Sequence, residues 1–100
     1  MNDQQVEQEI LEKGLVAPRI TPQYIEDIIT SEDYHVFDNT TLTICCLTLK
    51  NGFNVTGESA CASPENFDVE LGKKIALDNA KQKIWMLEGY LLKNKLYRKV

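Results

Sequence analysis

The residue types that perform catalysis are present in this sequence but are not arranged as a recognisable reaction centre. Nucleophilic catalysis needs a cysteine or serine beside a base, and the single histidine, His35, has no motif around it. A structural or solvent-exposed histidine is the favoured interpretation. A carboxylate pair such as Glu58 and Asp68 could perform acid–base chemistry, but nothing in the spacing selects these two from the 15 acidic residues. We therefore predict that the protein is not an enzyme.

The cysteines indicate buried thiols rather than a metal site or a disulfide framework. Cys45, Cys46 and Cys61 are odd in number and have no CxxC spacing. Zinc sites combine cysteine and histidine ligands at short spacings, and the sequence has neither that pattern nor a GxGxxG, Walker or HExxH motif. Cys45 and Cys46 are neighbours on a predicted strand, so their side chains point to opposite faces. We expect reduced cysteines, no metal and no cofactor.

A more informative set of residues lies near the end of a predicted hairpin and in the second half of a predicted C-terminal helix. Trp and Tyr combine a large contact area with a polar tip, so this set could line a ligand groove. The favoured alternative is that Trp85 anchors the core while Tyr90 caps its edge, and a subunit contact is a third interpretation. The candidate residues are Ser59, Lys83, Trp85, Glu88 and Tyr90.

The size and charge of the chain limit its partners. One hundred residues make a single domain, residues 1–100, that is large enough to bury a core. The net charge of −4 and the pI near 4.9 argue against binding to nucleic acid, which needs a basic footprint. The basic cluster at residues 93–99 is interpreted as cations at a helix C-terminus. The N-terminus does not resemble a signal peptide, and no apolar run has the roughly 20 residues of a membrane span, so we expect a cytosolic protein without a membrane partner.

Two short helices are predicted in the N-terminal third. Apolar residues recur at helical spacing up to Gly14, which predicts a weakly held, flexible helix within residues 1–16. Thr21-Pro22 predicts the start of a second helix, because threonine is a favoured N-cap and proline is tolerated in the first turn. Residues 30–39 are polar and irregular, and we predict a loop there.

An antiparallel β-hairpin is predicted at about residues 41–61, where two apolar runs meet at Asn51-Gly52. A two-residue turn would place apolar side chains on both faces. A three-residue loop with Gly52 in the left-handed position instead pairs Leu47 with Val55 and separates the faces cleanly. Because a one-residue slip exchanges the two faces, we predict the three-residue loop.

A long C-terminal helix is predicted from about residue 64 to about residue 92, with Ser63-Pro64 at its start. Its apolar residues form two stripes on roughly opposite sides, one of Phe67, Leu71 and Ile75 and the other of Ala76, Ala80, Ile84, Leu87 and Leu91. One hairpin covers only one side of such a helix. The predicted fold class is therefore α+β, with short N-terminal helices, one hairpin and a long helix, assembled as a homo-oligomer that covers the second stripe.

The residues from Asn51 to Leu92 also follow a pattern that resembles a known family. The pattern reads NGFxVxGESAC at 51–61, SPENFD at 63–68 and IWxLEGYxL at 84–92, with small residues at 72, 76 and 80. It resembles the gene 49/gene 66-like family of small phage and prophage proteins over about residues 17–96. The family pattern has a proline shortly after the tryptophan, and Met86 in that place favours a continuous helix.

The resemblance implies a phage accessory protein in the host cytoplasm and supplies no catalytic residues. We expect an oligomeric, non-enzymatic binding module that neutralises a host protein or sequesters a nucleotide-type defence signal. Such a signal would be held between subunits by Lys83, Trp85 and Tyr90. The alternatives are a structural or assembly component of the phage particle and a small hydrolase.

Overall fold

The fold combines short N-terminal helices, a three-stranded antiparallel sheet and one long helix. A computed structural model of the protein describes residues 2–15 and 17–98. The elements in chain order are α1 (Asp3–Glu12), α2 (Pro22–Asp27), β1 (Ile29–Val36), β2 (Leu42–Leu49), β3 (Asn54–Ala60), a 3-10 turn (Pro64–Asn66) and α3 (Val69–Arg98). The predicted α+β class is confirmed.

The sheet has its strands in the order β1-β2-β3, so the predictions of a loop at residues 30–39 and of a lone hairpin are wrong. β1 pairs with β2 along most of its length, with Tyr34 opposite Cys45. β1 is an edge strand, and most of its side chains are exposed. Its sequence therefore lacks the hydrophobic alternation that identifies a strand, and backbone pairing with β2 organises the segment.

The hairpin formed by β2 and β3 has the predicted register. Leu47 lies opposite Val55, and the Leu49 N–H donates a hydrogen bond to the carbonyl of Phe53 at 2.9 Å. Gly52 has a φ of 87°, the left-handed conformation that the three-residue loop requires. The turn assignment is therefore confirmed, and it determines which side of the sheet faces the helix.

The long helix begins and ends later than predicted. Pro64 starts a short 3-10 turn, after which the chain is extended at Phe67, with φ −73° and ψ 123°. The carboxylate of Asp68 then accepts the Leu71 N–H at 3.1 Å and caps α3. Beyond this point α3 is continuous through Met86 to its end, because methionine supplies the backbone N–H that a proline would remove.

The core forms between α3 and the helix-facing side of the sheet. Its buried residues come from the sheet, α3 and α2, and they are Ile25, Thr43, Cys45, Leu47, Leu49, Val55, Ala76, Ala80 and Ile84. The two layers are closest at Gly57, where an added Cβ would lie 2.2 Å from the Ala76 carbonyl oxygen and 2.3 Å from the Ala80 nitrogen. Small residues on both layers thus allow the helix backbone to approach the strand.

The two predicted apolar stripes of α3 differ in burial. The stripe that begins at Ala76 packs on the sheet as far as Ile84, which is 0% exposed. Leu91, at its predicted end, is 52% exposed, while Leu71 and Ile75 on the other stripe are 54% and 44% exposed. Within the described part of α3, no side chain after Ile84 is fully buried. The C-terminal half of α3, defined here as residues 85–98, therefore exposes side chains on more than one side.

The N-terminal helices begin at the expected kinds of cap. Asn2 caps α1, and the hydroxyl of Thr21 accepts the Tyr24 N–H at 3.1 Å at the start of α2. None of the ten residues of α1, all of which the structure describes, is buried. An ion pair between Arg19 and Glu7 ties α1 to the segment before α2.

Candidate binding groove

A groove of about 700 Å³ lies between the C-terminal half of α3, α2 and the hairpin loop. Clefts of this volume are of the size that binds small molecules or short peptide segments. Its lining residues come from three separate parts of the chain, and they are Arg19, Ile20, Thr21, Tyr24, Ile28, Leu49, Lys50, Asn51, Glu88, Leu91, Leu92 and Lys95.

The groove has apolar walls on its three sides. Ile20 and Ile28 flank α2, Leu49 ends β2, and Leu91 and Leu92 come from α3. Leu49 is 6% exposed and joins the groove to the core, whereas Leu91 is 52% exposed and borders solvent. An apolar ligand would therefore gain most by covering the α3 wall, where apolar surface is now in contact with water.

One fixed polar pair crosses the groove. The Tyr24 hydroxyl donates a hydrogen bond of 2.9 Å to the Glu88 carboxylate. This hydrogen bond, together with burial and the negative charge of Glu88, raises the pKa of Tyr24 above its ordinary value. Tyr24 thus stays protonated at neutral pH, and the pair ties α2 to α3 while leaving carboxylate oxygen available as an acceptor.

Cationic side chains lie at the border of the groove. Lys50 is on the hairpin loop and Lys95 is on α3, and neither forms an ion pair with another residue that the structure describes. The third cation, Arg19, is already bound by Glu7, and their hydrogen bond holds the pKa of Glu7 below its ordinary value. The two lysines outnumber the single carboxylate of Glu88, so the groove favours a ligand that carries negative charge.

The five residues predicted as site candidates do not form one site. Glu88 lines the groove. Trp85 lies at a second, smaller cleft of about 320 Å³ beside α1, and its Nε1–H donates to Asp3 at 3.2 Å. Lys83 and Tyr90 are exposed, and at about 100° per residue they lie on a side of α3 more than 90° away from Trp85.

Ser59 is remote from the other four candidates. It pairs with Thr43 across the sheet, and Thr43 packs beside Gly72 in the first turns of α3. About 24 Å of helix separates Gly72 from Glu88 at 1.5 Å per residue. The predicted groove that would combine Ser59 with Trp85 and Tyr90 is therefore not formed within one chain.

Sequence reasoning missed most of the groove. Tyr24 lies in the predicted second helix and Lys50 in the predicted hairpin, and the sequence pattern makes neither a site candidate. The one local signal is the cluster of cations after residue 92, of which Lys95 lies in the groove. Nothing in the local pattern brings this lysine to the hairpin loop, because that contact depends on how α3 packs on the sheet.

The buried thiol of Cys45, the hydroxyl of Tyr34 and the imidazole of His35 lie away from the groove. Cys45 is buried beneath α3, and burial raises the pKa of its thiol. Burial also raises the pKa of the neighbouring Tyr34. His35 contacts Phe37 edge to face, with ring centroids 4.5 Å apart. Within residues 2–15 and 17–98, no cluster of three His, Cys, Asp or Glu side chains could hold a metal ion.

The fold defines a class of small α+β proteins in which one long helix covers one side of a three-stranded antiparallel sheet. The family model described as the Phage protein (N4 Gp49/phage Sf6 gene 66) family matches residues 20–96. The chain therefore belongs to this family of phage proteins, and the resemblance seen in its sequence is confirmed. No curated protein and no solved structure matches the chain. In the part of the chain that the structure describes, no helix is both long enough and apolar enough to cross a membrane.

Proposed function

We propose that this phage protein is a non-enzymatic accessory protein that acts by binding a partner in the groove between α2, the hairpin loop and α3. The observation that carries the proposal is the combination of an apolar lining with two cations, Lys50 and Lys95, in one open cleft. A binding site of this kind has a mostly apolar surface and a few polar groups that fix orientation.

The polar groups of the groove support binding better than catalysis. Tyr24 and Glu88 are hydrogen-bonded to each other, and Arg19 is bound by Glu7. A general base must reach a proton of the substrate, and the Glu88 carboxylate is already occupied by the hydrogen bond that it accepts from the Tyr24 hydroxyl. The same arrangement is suited to orienting a ligand, because both groups are held in place before the ligand arrives.

The lining also indicates the chemistry of the ligand. Apolar walls with lysines at the border favour an amphipathic anion, in which an apolar body is joined to a negatively charged group. An acidic segment of a host protein and a nucleotide-type defence signal both have this character. In either case the protein would act in the cytoplasm of the infected host by occupying its target. A role in the phage particle remains the structural alternative, and mass spectrometry of purified virions tests it.

The experiment compares the wild-type protein with a charge-reversed groove variant, Lys50→Glu/Lys95→Glu. The matched control is Lys74→Glu/Lys83→Glu, which makes the same charge change at exposed residues of α3 outside the groove. Each tagged protein is purified from infected cells, and its bound proteins and metabolites are identified by mass spectrometry. We expect one ligand to accompany the wild type and the control but not the groove variant.

Two results would contradict the proposal. A ligand recovered equally with the groove variant would exclude the groove as its site. Conversion of the recovered metabolite into a product by the purified protein would show an enzyme instead of a binding protein. Binding of the fluorescent dye anilinonaphthalene sulfonate, an apolar anion, provides a direct probe of the groove. We expect the dye to bind less well to Lys50→Glu/Lys95→Glu than to the control variant.

A further inference from the structure

Arg19 belongs both to the groove and to the attachment of α1. The groove is lined by Arg19 and Ile20, which come from the segment between α1 and α2. Ile20 also lines the cleft of about 320 Å³ beside α1, together with Glu7 of that helix. Because the two cavities share this segment, α1 lies at the border of the groove.

The carboxylate of Glu7 holds the guanidinium group of Arg19 from the α1 side. Nη1 and Nη2 of Arg19 each donate to one oxygen of the carboxylate, the second at 3.0 Å. The side chains of Arg19 and Glu7 are only 23% and 20% exposed. The other ion pair of α1, Lys13 with Glu9, has exposed fractions of 63% and 46%. Water and salt screen a shielded pair less, so the pair between Arg19 and Glu7 is the stronger of the two.

This two-pronged contact is the one by which arginine recognises a carboxylate on a ligand. The planar fork of the guanidinium group matches the two oxygens of the carboxylate and binds both at once. Glu7 therefore occupies the position that a carboxylate of a ligand in the groove would take beside Arg19. The other two cations of the groove, Lys50 and Lys95, form no ion pair with any residue in the described parts of the chain.

The helix that presents Glu7 is weakly held. None of its ten residues is buried, and an isolated helix of this length is marginal in water. Among the described hydrogen bonds between the side chains of α1 and α3, one anchors it, from Trp85 Nε1–H to Asp3 at 3.2 Å. Val6 and Ile10 line an open cleft instead of a filled contact. Detachment of α1 therefore exposes little buried surface.

We propose that α1 regulates the groove, with Glu7 standing in for a carboxylate of the ligand. While α1 is docked, Glu7 holds Arg19. A carboxylate of the ligand that reaches Arg19 replaces Glu7, and α1 detaches. Arg19 is then the third cation that binds the ligand, beside Lys50 and Lys95. This role of α1 rests on the proposed function, since it concerns how the same groove takes up its ligand.

Competition for Arg19 links ligand binding to the docking of α1. Because Glu7 and the ligand cannot both hold Arg19, removal of the Glu7 charge should strengthen ligand binding. By the same linkage, the ligand should weaken the docking of α1. Couplings between sites commonly change affinity by about 5-fold or more, and we expect the lower end because the ion pair is partly open to water. An ion pair that only attached α1 would leave the affinity unchanged.

The affinity test uses decanoate, which joins an apolar chain to the same group that Glu7 presents. Its dissociation constant is measured by calorimetry for the wild type and for Glu7→Gln. The matched control is Glu9→Gln, which removes the exposed ion pair with Lys13 on the same helix. We expect decanoate to bind Glu7→Gln about 5-fold more tightly than the wild type, and Glu9→Gln as the wild type does.

An uncharged analogue and a second substitution isolate the contribution of Arg19. Decanol has the same chain without the charge, so it measures any binding to apolar surface that α1 uncovers. The gain in affinity of Glu7→Gln for decanoate should exceed its gain for decanol by about 5-fold. In Glu7→Gln/Arg19→Met this excess should disappear, because the group that Glu7 releases is absent.

Tryptophan fluorescence tests the release of α1 in the wild-type protein. Trp85 is the single tryptophan of the chain, and its indole contacts Asp3 of α1. Decanoate should shift the wild-type emission to that of Arg19→Met, in which α1 has lost its ion pair. Decanol should leave the emission unchanged. A wild-type emission that stays constant while decanoate binds would exclude the release of α1.

The affinities also separate this role of α1 from the proposed function. Equal decanoate affinity of the wild type and Glu7→Gln, with weaker binding to Lys50→Glu/Lys95→Glu, would overturn the role of Glu7 and retain the groove as a binding site. A gain in Glu7→Gln that persisted in Glu7→Gln/Arg19→Met would also overturn it. Absence of decanoate binding to both the wild type and Glu7→Gln would contradict the proposed function as well.

Discussion

The close contact at Gly57 makes a sharp prediction about how α3 is held on the sheet. Replacement of Gly57 by alanine adds a single methyl group. In the present geometry that methyl carbon would lie 2.2 Å from the Ala76 carbonyl oxygen and 2.9 Å from the Ala80 Cα. These atoms belong to the helix backbone, so no side-chain rotation relieves the overlap. The helix as a whole must move away from β3.

The size of the effect follows from the required movement. Ordinary contact begins near 3.4 Å, so α3 has to retreat by about 1 Å near Ala76. A gap of about 0.5–1 Å removes a quarter to a half of the dispersion energy of the contacts that line it, and overpacked cores lose about 1–3 kcal/mol. We expect Gly57→Ala to lower the free energy of unfolding by about 3 kcal/mol, at the upper end of this range because backbone is involved. For a domain of this size, that loss corresponds to a fall of roughly 12–24 °C in the melting temperature.

The assay is thermal and urea unfolding of three glycine-to-alanine variants. At Gly89 no described atom lies within 4 Å of the added carbon, so Gly89→Ala in the middle of α3 should stabilise the protein by about 0.5–1 kcal/mol. Gly72→Ala should fall between the two, because its carbon would lie 3.0 Å from the Thr43 hydroxyl oxygen, which belongs to a side chain. If Gly57→Ala unfolded within 0.5 kcal/mol of the wild type, the described packing of α3 on β3 would be refuted.

Three further predictions concern the hairpin loop, a buried thiol and the docking of α1. Gly52→Val should destabilise the fold by about 1–2 kcal/mol because φ is 87°, and equal melting temperatures would exclude this turn. Cys45 should react with a thiol reagent only on unfolding, since burial raises the pKa of its thiol. Cys46, on the opposite face of the sheet, should react in the native state. Thiol titration measures both reactions, and fast labelling of Cys45 in the folded protein would be inconsistent with the pairing of β2 with β3. The pKa of Glu7 is lowered by its hydrogen bond from Arg19. The attachment of α1 to the segment before α2 should therefore be retained above pH 4.5, and it should be lost as the pH falls through the lowered pKa of Glu7. Tryptophan fluorescence should follow this loss, and Arg19→Met should already have the acidic signal at neutral pH.

The spacing of apolar residues and the Asn51-Gly52 turn predicted the hairpin of β2 and β3 correctly. The loop that contains Gly52 and the pairing of Leu47 with Val55 follow from one requirement, that apolar side chains share one face, and they were predicted correctly. β1 was missed because its hydrophobic contacts with the core come from Ile29 and Tyr34, five residues apart. Backbone pairing with β2 organises the strand. An edge strand of this kind leaves little trace in the spacing of its own residues.

The long helix shows where the same reasoning overreached. Two apolar stripes were recognised, and the one that ends in Leu91 was treated as a single surface. In the structure Ile84 is core and Leu91 borders the groove. Ile84→Glu would therefore unfold the protein rather than dissociate an oligomer, and it cannot serve as a test of assembly. Exposed positions such as Met86 separate the two effects.

The average charge of the chain concealed a feature that bears on its partners. Residues 1–72 contain 13 acids and 3 bases, whereas residues 73–100 contain 2 acids and 8 bases. A net charge of −4 is therefore the difference between an acidic body and a basic helix. The groove lies where these two regions meet, with Lys95 from the helix and Glu88 bound to Tyr24. An anionic ligand would approach against the repulsion of the body and bind beside the helix, so its affinity should depend on contacts at Lys50 and Lys95 rather than on long-range attraction.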